Sequence, residues 1–93
     1  MSKDSTGVVI YWRPGCTYCM LLRFRLRSTQ LPVTWVNIWQ DPQAAAFVRS
    51  VADGNETVPT VTVAGKVTMV NPSKAQLLDA VAAHAPHLLP PQR

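Results

Sequence analysis

Val8-Val9-Ile10-Tyr11-Trp12-Arg13-Pro14-Gly15-Cys16-Thr17-Tyr18-Cys19 decides how the rest of the chain is read. Its first five residues are β-branched or aromatic and read as a buried strand. Arg13-Pro14-Gly15 breaks that strand with two strong turn residues. Residues 17–28 contain no Gly or Pro, and Leu22 and Leu26 share a face with Cys19 at helical spacing. A helix therefore starts beside Cys16. A CxxC pair at a strand-to-helix joint is suited to thiol–disulfide exchange.

Working outward, Pro32 separates this helix from Val33-Thr34-Trp35-Val36-Asn37-Ile38-Trp39, which predicts a second strand. Asp41-Pro42 sets a capping carboxylate before a proline at the first helical position. The alanine-rich residues 43–51 follow as a second helix, closed by Asp53-Gly54-Asn55. Thr60-Val61-Thr62-Val63 and Val67-Thr68-Met69-Val70, with three residues between them, predict a hairpin. Ser73-Lys74-Ala75-Gln76 has the form of a capping box and opens a third helix that Pro86 stops. The order is β-α-β-α-β-β-α: an α/β domain with a four-stranded mixed sheet flanked by three helices. Residues 7–85 form the domain, and 1–6 and 86–93 read as flexible tails. Met20, Leu21, Leu22, Phe24, Leu26 and Trp35 are expected in the core.

Composition narrows the function classes. Ninety-three residues make one small domain, and 47% hydrophobic content supplies one modest core. No apolar run approaches the roughly 18 residues of a membrane span. The polar opening, Met1-Ser2-Lys3-Asp4-Ser5, does not read as a secretory leader, so a cytoplasmic protein is expected. In that reducing compartment two cysteines three apart read as catalytic rather than as a staple. The net charge is +4, with a local excess at Arg23, Arg25 and Arg27. No nucleic-acid recognition motif accompanies those arginines, so they read as a solvated helix face, and no nucleic-acid partner is expected.

Competing uses of Cys16 and Cys19 need residues the chain lacks. A mononuclear zinc site takes about four ligands. The remaining candidates, His84 and His87, lie far along the sequence around Pro86, so no metal is expected. A thiol attacks as thiolate, and an ordinary cysteine is only a few per cent ionised at neutral pH. Unsatisfied N–H groups and the positive end of the helix dipole at Cys16 favour the thiolate, and Arg13 adds a nearby cation. Cys19, almost a turn further on, receives less of this help. The asymmetry assigns Cys16 to attack and leaves Cys19 to resolve a mixed disulfide or stand by. Thr57-Val58-Pro59 is the second candidate segment. Proline at a strand mouth fits a plain edge turn, or a cis Val58–Pro59 bond that exposes backbone groups to a peptide-like thiol.

With these motifs together, the chain resembles the glutaredoxin branch of the thioredoxin fold from about residue 8 to 85. Tyr11 to Cys19 is similar to the family pattern Y-x-K/R-x-x-C-x-Y-C, and Thr57-Val58-Pro59 stands at the family's separation. The resemblance implies Cys16 as nucleophile, a cis Pro59 facing it, and Val58 pairing through its backbone with a small thiol. It also implies Tyr18 beside the thiol groove. Glutathione-using members carry a Gly-Gly-x-x-Asp turn before the last helix. Here Val70-Asn71-Pro72-Ser73 stands instead, which resembles the mycoredoxins, relatives that use mycothiol. Asn71 and Ser73 become candidate thiol contacts, with helix capping as the other reading of Ser73. Thr17-Tyr18 between the cysteines departs from the Gly-Tyr of that branch.

The resemblance implies an enzyme, monomeric, that takes low-molecular-weight thiols from thiol-modified proteins with no bound cofactor, mycothiol or glutathione serving as cosubstrate. Three alternatives stand beside it. One is a dithiol redoxin reduced by thioredoxin reductase. Another is a dimer sharing a [2Fe–2S] cluster through Cys16. The last is a redox-inert scaffold whose basic face binds an acidic partner.

Overall fold

The computed structural model describes residues 7–89. The expected tails at 1–6 and 90–93 lie outside them. Four strands, β1 (Val8–Trp12), β2 (Val33–Asn37), β3 (Thr60–Val63) and β4 (Val67–Val70), alternate with three helices, α1 (Thr17–Leu26), α2 (Pro42–Val51) and α3 (Lys74–His84). The sheet order is β2-β1-β3-β4. β1 runs parallel to β2, with Val8 opposite Val33 and Trp12 opposite Asn37. It runs antiparallel to β3, with Tyr11 opposite Thr60. β3 and β4 form the hairpin, with Thr60 opposite Val70. This is the mixed four-stranded sheet that the order of elements predicted, in the thioredoxin-like arrangement that the resemblance implied.

Alternation along β1 builds a core on each face of the sheet. Val8 and Ile10 point to the side covered by α1 and α3, where they meet Leu22, Leu26, Val61, Val63, Leu77 and Val81. Val9 and Tyr11 point to the α2 side, with Val36, Ile38, Ala44, Ala45 and Val48. The Tyr11 and Phe47 rings meet there with centroids 5.1 Å apart, a tilted pairing that adds to area burial. Cys16, Cys19 and Val58 belong to this second cluster.

Each helix starts where the sequence signals it. Asp41 accepts hydrogen bonds from the N–H groups of Gln43 and Ala44 at 3.1 Å, ahead of Pro42. Ser73 Oγ accepts from Gln76 N–H, and Gln76 Oε1 accepts from Ser73 N–H, completing a capping box. α1 stops two residues earlier than its composition suggests. Thr29 takes the Leu26 carbonyl through both its N–H and its hydroxyl, and Gln30 turns into the left-handed region at φ 59°. β2 likewise ends at Asn37 rather than Trp39, because the Asn37 side chain accepts the Trp39 N–H and bends the chain.

Two expectations are corrected. Met20, Leu21 and Phe24 are not core: they are 58%, 41% and 64% exposed. α1 is apolar around most of its circumference but rests on the sheet by one stripe, Cys19, Leu22 and Leu26. Trp35 is half-buried, packed at the margin of the core. The chain after α3 is not loose at its start. Pro86–Leu88 form a short 3-10 turn, and Leu88 and Leu89 lie against the α1/α3 core.

Candidate active site

The turn after β1 delivers Cys16 to the helix start. Gly15 takes φ +82°, which other residues seldom adopt, although a Cβ there would meet no atom within 4 Å. Conformation rather than space calls for glycine. Cys16 N–H reaches back to the Arg13 carbonyl at 3.4 Å and closes the turn. Cys16 is then the N-cap of α1, with extended backbone angles. Its Sγ accepts the Cys19 N–H at 3.1 Å, the position a serine or aspartate oxygen occupies in ordinary caps. A thiolate formed there meets a peptide N–H and the positive end of α1, both of which favour the charged form.

Cys16 and Cys19 are joined by a disulfide, with Cα atoms 5.2 Å apart. Cys16 is 6% exposed and Cys19 2%, so the first cysteine is the more accessible by a small margin. Cys16 Sγ lies 3.6 Å from the Val58 carbonyl oxygen. In the reduced state that oxygen is placed to accept the thiol proton.

The Val58–Pro59 peptide bond is cis. Thr60, fully buried, donates its hydroxyl to the Thr57 carbonyl at 2.7 Å. The Asn71 N–H, at a residue with φ 50°, donates to the Pro59 carbonyl at 2.7 Å. The bend is therefore fastened from the start of β3 and from the end of β4. Among the described residues, no backbone hydrogen bond engages the Val58 N–H.

The candidates named from sequence divide by position. Cys16, Cys19, Val58 and Pro59 converge, and Asn71 joins them through its backbone bond to Pro59. Arg13 is half-buried in the turn, Tyr18 is 62% exposed on the first turn of α1, and Thr57 is exposed beside the bend. Ser73 is occupied as the cap of α3. The Val70–Pro72 side of the Asn71 turn borders a concavity of about 440 Å³ with Gln76 and Asp79. Thr60, which fastens the bend, is a residue of this region that sequence reasoning misses. Its Thr-x-x-Thr spacing to Thr57 across the proline is the signal that could have found it.

The arrangement can exchange disulfides: an N-capping sulfur, a second sulfur one turn away, and a backbone carbonyl facing the first. Known proteins are similar in sequence and in fold. Residues 8–68 match the glutaredoxin family model. The chain is 39% identical over 69 residues to a glutaredoxin-named protein of Mycobacterium tuberculosis, covering 74% of this chain and 82% of that one. It is 32% identical over 80 residues to Mycoredoxin 1 of Corynebacterium glutamicum, covering 86% and 99%. Among solved structures it resembles the glutaredoxin-like NrdH-redoxin of Escherichia coli, a protein with a thioredoxin-like activity profile, with TM-score 0.56 and 25% identity over 68% of this chain and 79% of that one. Reduced glutaredoxin C1 of Populus tremula x tremuloides matches in fold, with TM-score 0.61 and 20% identity over 92% and 74%.

Proposed function

The chain belongs to the glutaredoxin family, whose members are thiol–disulfide oxidoreductases, and on that premise we propose that it removes mycothiol from protein mixed disulfides in the cytoplasm. The observation that carries this reading is Cys16 Sγ at the α1 N-cap, 3.6 Å from Val58 O. The likeness to Mycoredoxin 1 supports mycothiol as the thiol.

The Cys16 thiolate attacks the mycothiol sulfur of the mixed disulfide. The S–S bond of the mixed disulfide breaks, and the protein cysteine leaves as a thiolate that takes a proton from water. Cys16 is now disulfide-bonded to mycothiol. A second mycothiol thiolate attacks the mycothiol sulfur, releasing oxidised mycothiol and regenerating the Cys16 thiolate. No prosthetic group takes part. The Val58 backbone and Pro59 seat the small thiol, with Thr57 and Asn71 at the rim of that seat. Arg13 and the α1 N-terminus favour the attacking thiolate, and Tyr18 flanks the groove. Ser73 serves this site by fixing the start of α3. The working unit is the monomer.

A second reading has its own support. Cys16 and Cys19 form a disulfide, and the thioredoxin-like activity of the NrdH-redoxin belongs to a protein of related fold and sequence. In this reading Cys16 first forms a mixed disulfide with the substrate, Cys19 attacks the Cys16 sulfur so that the substrate thiolate leaves, and a flavoenzyme reductase returns the Cys16–Cys19 disulfide to the dithiol. Turnover on one peptide carried as matched mycothiol and glutathione mixed disulfides separates the readings. The first requires faster turnover of the mycothiol form with mycothiol as reductant. Equal rates on both forms, together with direct reduction by thioredoxin reductase, would establish the second.

A further inference from the structure

The active-site helix carries a surface that the small-thiol chemistry leaves unused. A small cleft beside the disulfide is lined by Trp12, Cys19, Met20, Arg23 and Trp35. Arg23 and Trp35 also line a groove of about 240 Å³ that runs on between α1 and the outer edge of β2, past Arg27 and Gln30. The two concavities share those residues, so the shallow trough they make up lies on both sides of the Arg23–Trp35 pair. Its floor is apolar and its polar groups are cationic or neutral.

Both arginines are exposed, and each lies over an aromatic ring. The Arg23 guanidinium lies 5.0 Å from the centroid of the Trp35 ring, and that of Arg27 lies 5.1 Å from the Phe24 ring. Each cation rests on an aromatic face, which leaves its N–H edge free for a planar anion. No salt bridge engages either one among the described residues. α1 itself holds no acidic residue. A second copy of this chain would bring the same positive charge to the trough, so self-association is opposed.

Building on the proposed reaction, we propose that this trough docks the protein half of the mixed disulfide through acidic side chains near the modified cysteine. Arg23 and Arg27 pair with those carboxylates, and Met20 and Trp35 receive the apolar residues between them. The small-thiol half occupies the Val58–Pro59 side of Cys16. The two halves of the substrate thus lie on different surfaces, and the protein half is chosen by charge.

The test uses one peptide sequence whose single cysteine is flanked by Glu, Gln or Lys, each carrying the same mycothiol or glutathione adduct. The native protein is expected to turn over the Glu peptide about three- to ten-fold more efficiently in kcat/KM than the Gln peptide, and the Lys peptide least, with the spread shrinking as salt rises. In R23Q/R27Q the spread should collapse, in R23K/R27K it should partly return, and turnover of the thiol's mixed disulfide with free cysteine should stay unchanged. Equal efficiencies across the three peptides, or a spread that survives R23Q/R27Q, would overturn the proposal. Fluorescence anisotropy with labelled peptides bearing serine in place of cysteine measures docking without catalysis. It decides the matter even if no mixed disulfide is turned over, the result that would remove the proposed reaction. Attachment to vesicles of phosphatidylglycerol through these arginines, with no preference among the peptides, would also overturn it.

Discussion

Asn71 donates its backbone N–H to the Pro59 carbonyl at 2.7 Å, and so the turn that leaves β4 holds the bend that faces Cys16. The contact is made by main chain. What the side chain at 71 contributes is tolerance of φ 50°, a region open to asparagine and glycine and costly for β-branched residues. Asn71→Gly should leave stability and KM for the small thiol close to native. Asn71→Val should lose about 1–2 kcal/mol of stability and raise KM. Denaturant melts and a KM series on both variants check this. Equal KM values in the two would show that the turn does not position the bend.

Cys16 and Cys19 should separate cleanly in kinetics. Cys16→Ser is expected to lower turnover of the mixed disulfide by roughly three orders of magnitude, since the hydroxyl is a far poorer nucleophile at neutral pH. Cys19→Ser should retain most of the rate in the monothiol route, and mass spectrometry should trap Cys16 joined to the small thiol. Loss of turnover in Cys19→Ser would instead favour the dithiol route.

Thr60 is fully buried, and its hydroxyl serves the Thr57 carbonyl. Thr60→Val keeps the shape and removes the donor. Because Thr57 is exposed, its carbonyl can turn to water, so the expected cost is about 1 kcal/mol rather than the penalty of a stranded buried group. Urea unfolding measures that cost. A rise in KM without a fall in kcat would place Thr60 among the residues that position the thiol seat.

Leu77 of α3 is fully buried in the cluster beneath α1. Leu77→Ala should cost about 2–5 kcal/mol, a drop in Tm on the order of 10 °C or more for a domain of this size. The Cys16–Val58 site lies in the cluster on the opposite face of the sheet. Kinetics measured well below the new Tm should therefore stay near native values.

The fold was legible because its signals are local and agree with one another. β-branched runs marked the strands, and Asp41-Pro42 and Ser73…Gln76 marked two helix starts at the positions where the caps form. Proximity of the CxxC turn to Val58–Pro59 was legible through the family resemblance. The sequence could not say which apolar residues of α1 would be covered. Met20, Leu21 and Phe24 are as hydrophobic as Leu22 and Leu26, and they differ in place around the helix: Leu22 and Leu26 share the Cys19 stripe that meets the sheet, and the other three face away from it. Nor could it show Thr60 and Asn71 fastening the bend. The second of these depends on a main-chain bond whose partners, residues 59 and 71, meet through the hairpin.

Cys16 and Cys19 are seated among Val9, Ile38, Ala45 and Val48. Electron uptake by the pair and unfolding of the chain are consequently two legs of one thermodynamic cycle. Any difference in melting between the oxidised and reduced proteins must reappear, with the sign the cycle dictates, in the midpoint voltage of the couple. A substitution at Val48, far in sequence from either sulfur, would move that voltage by as much as it destabilises one redox state more than the other, without altering the cysteine motif.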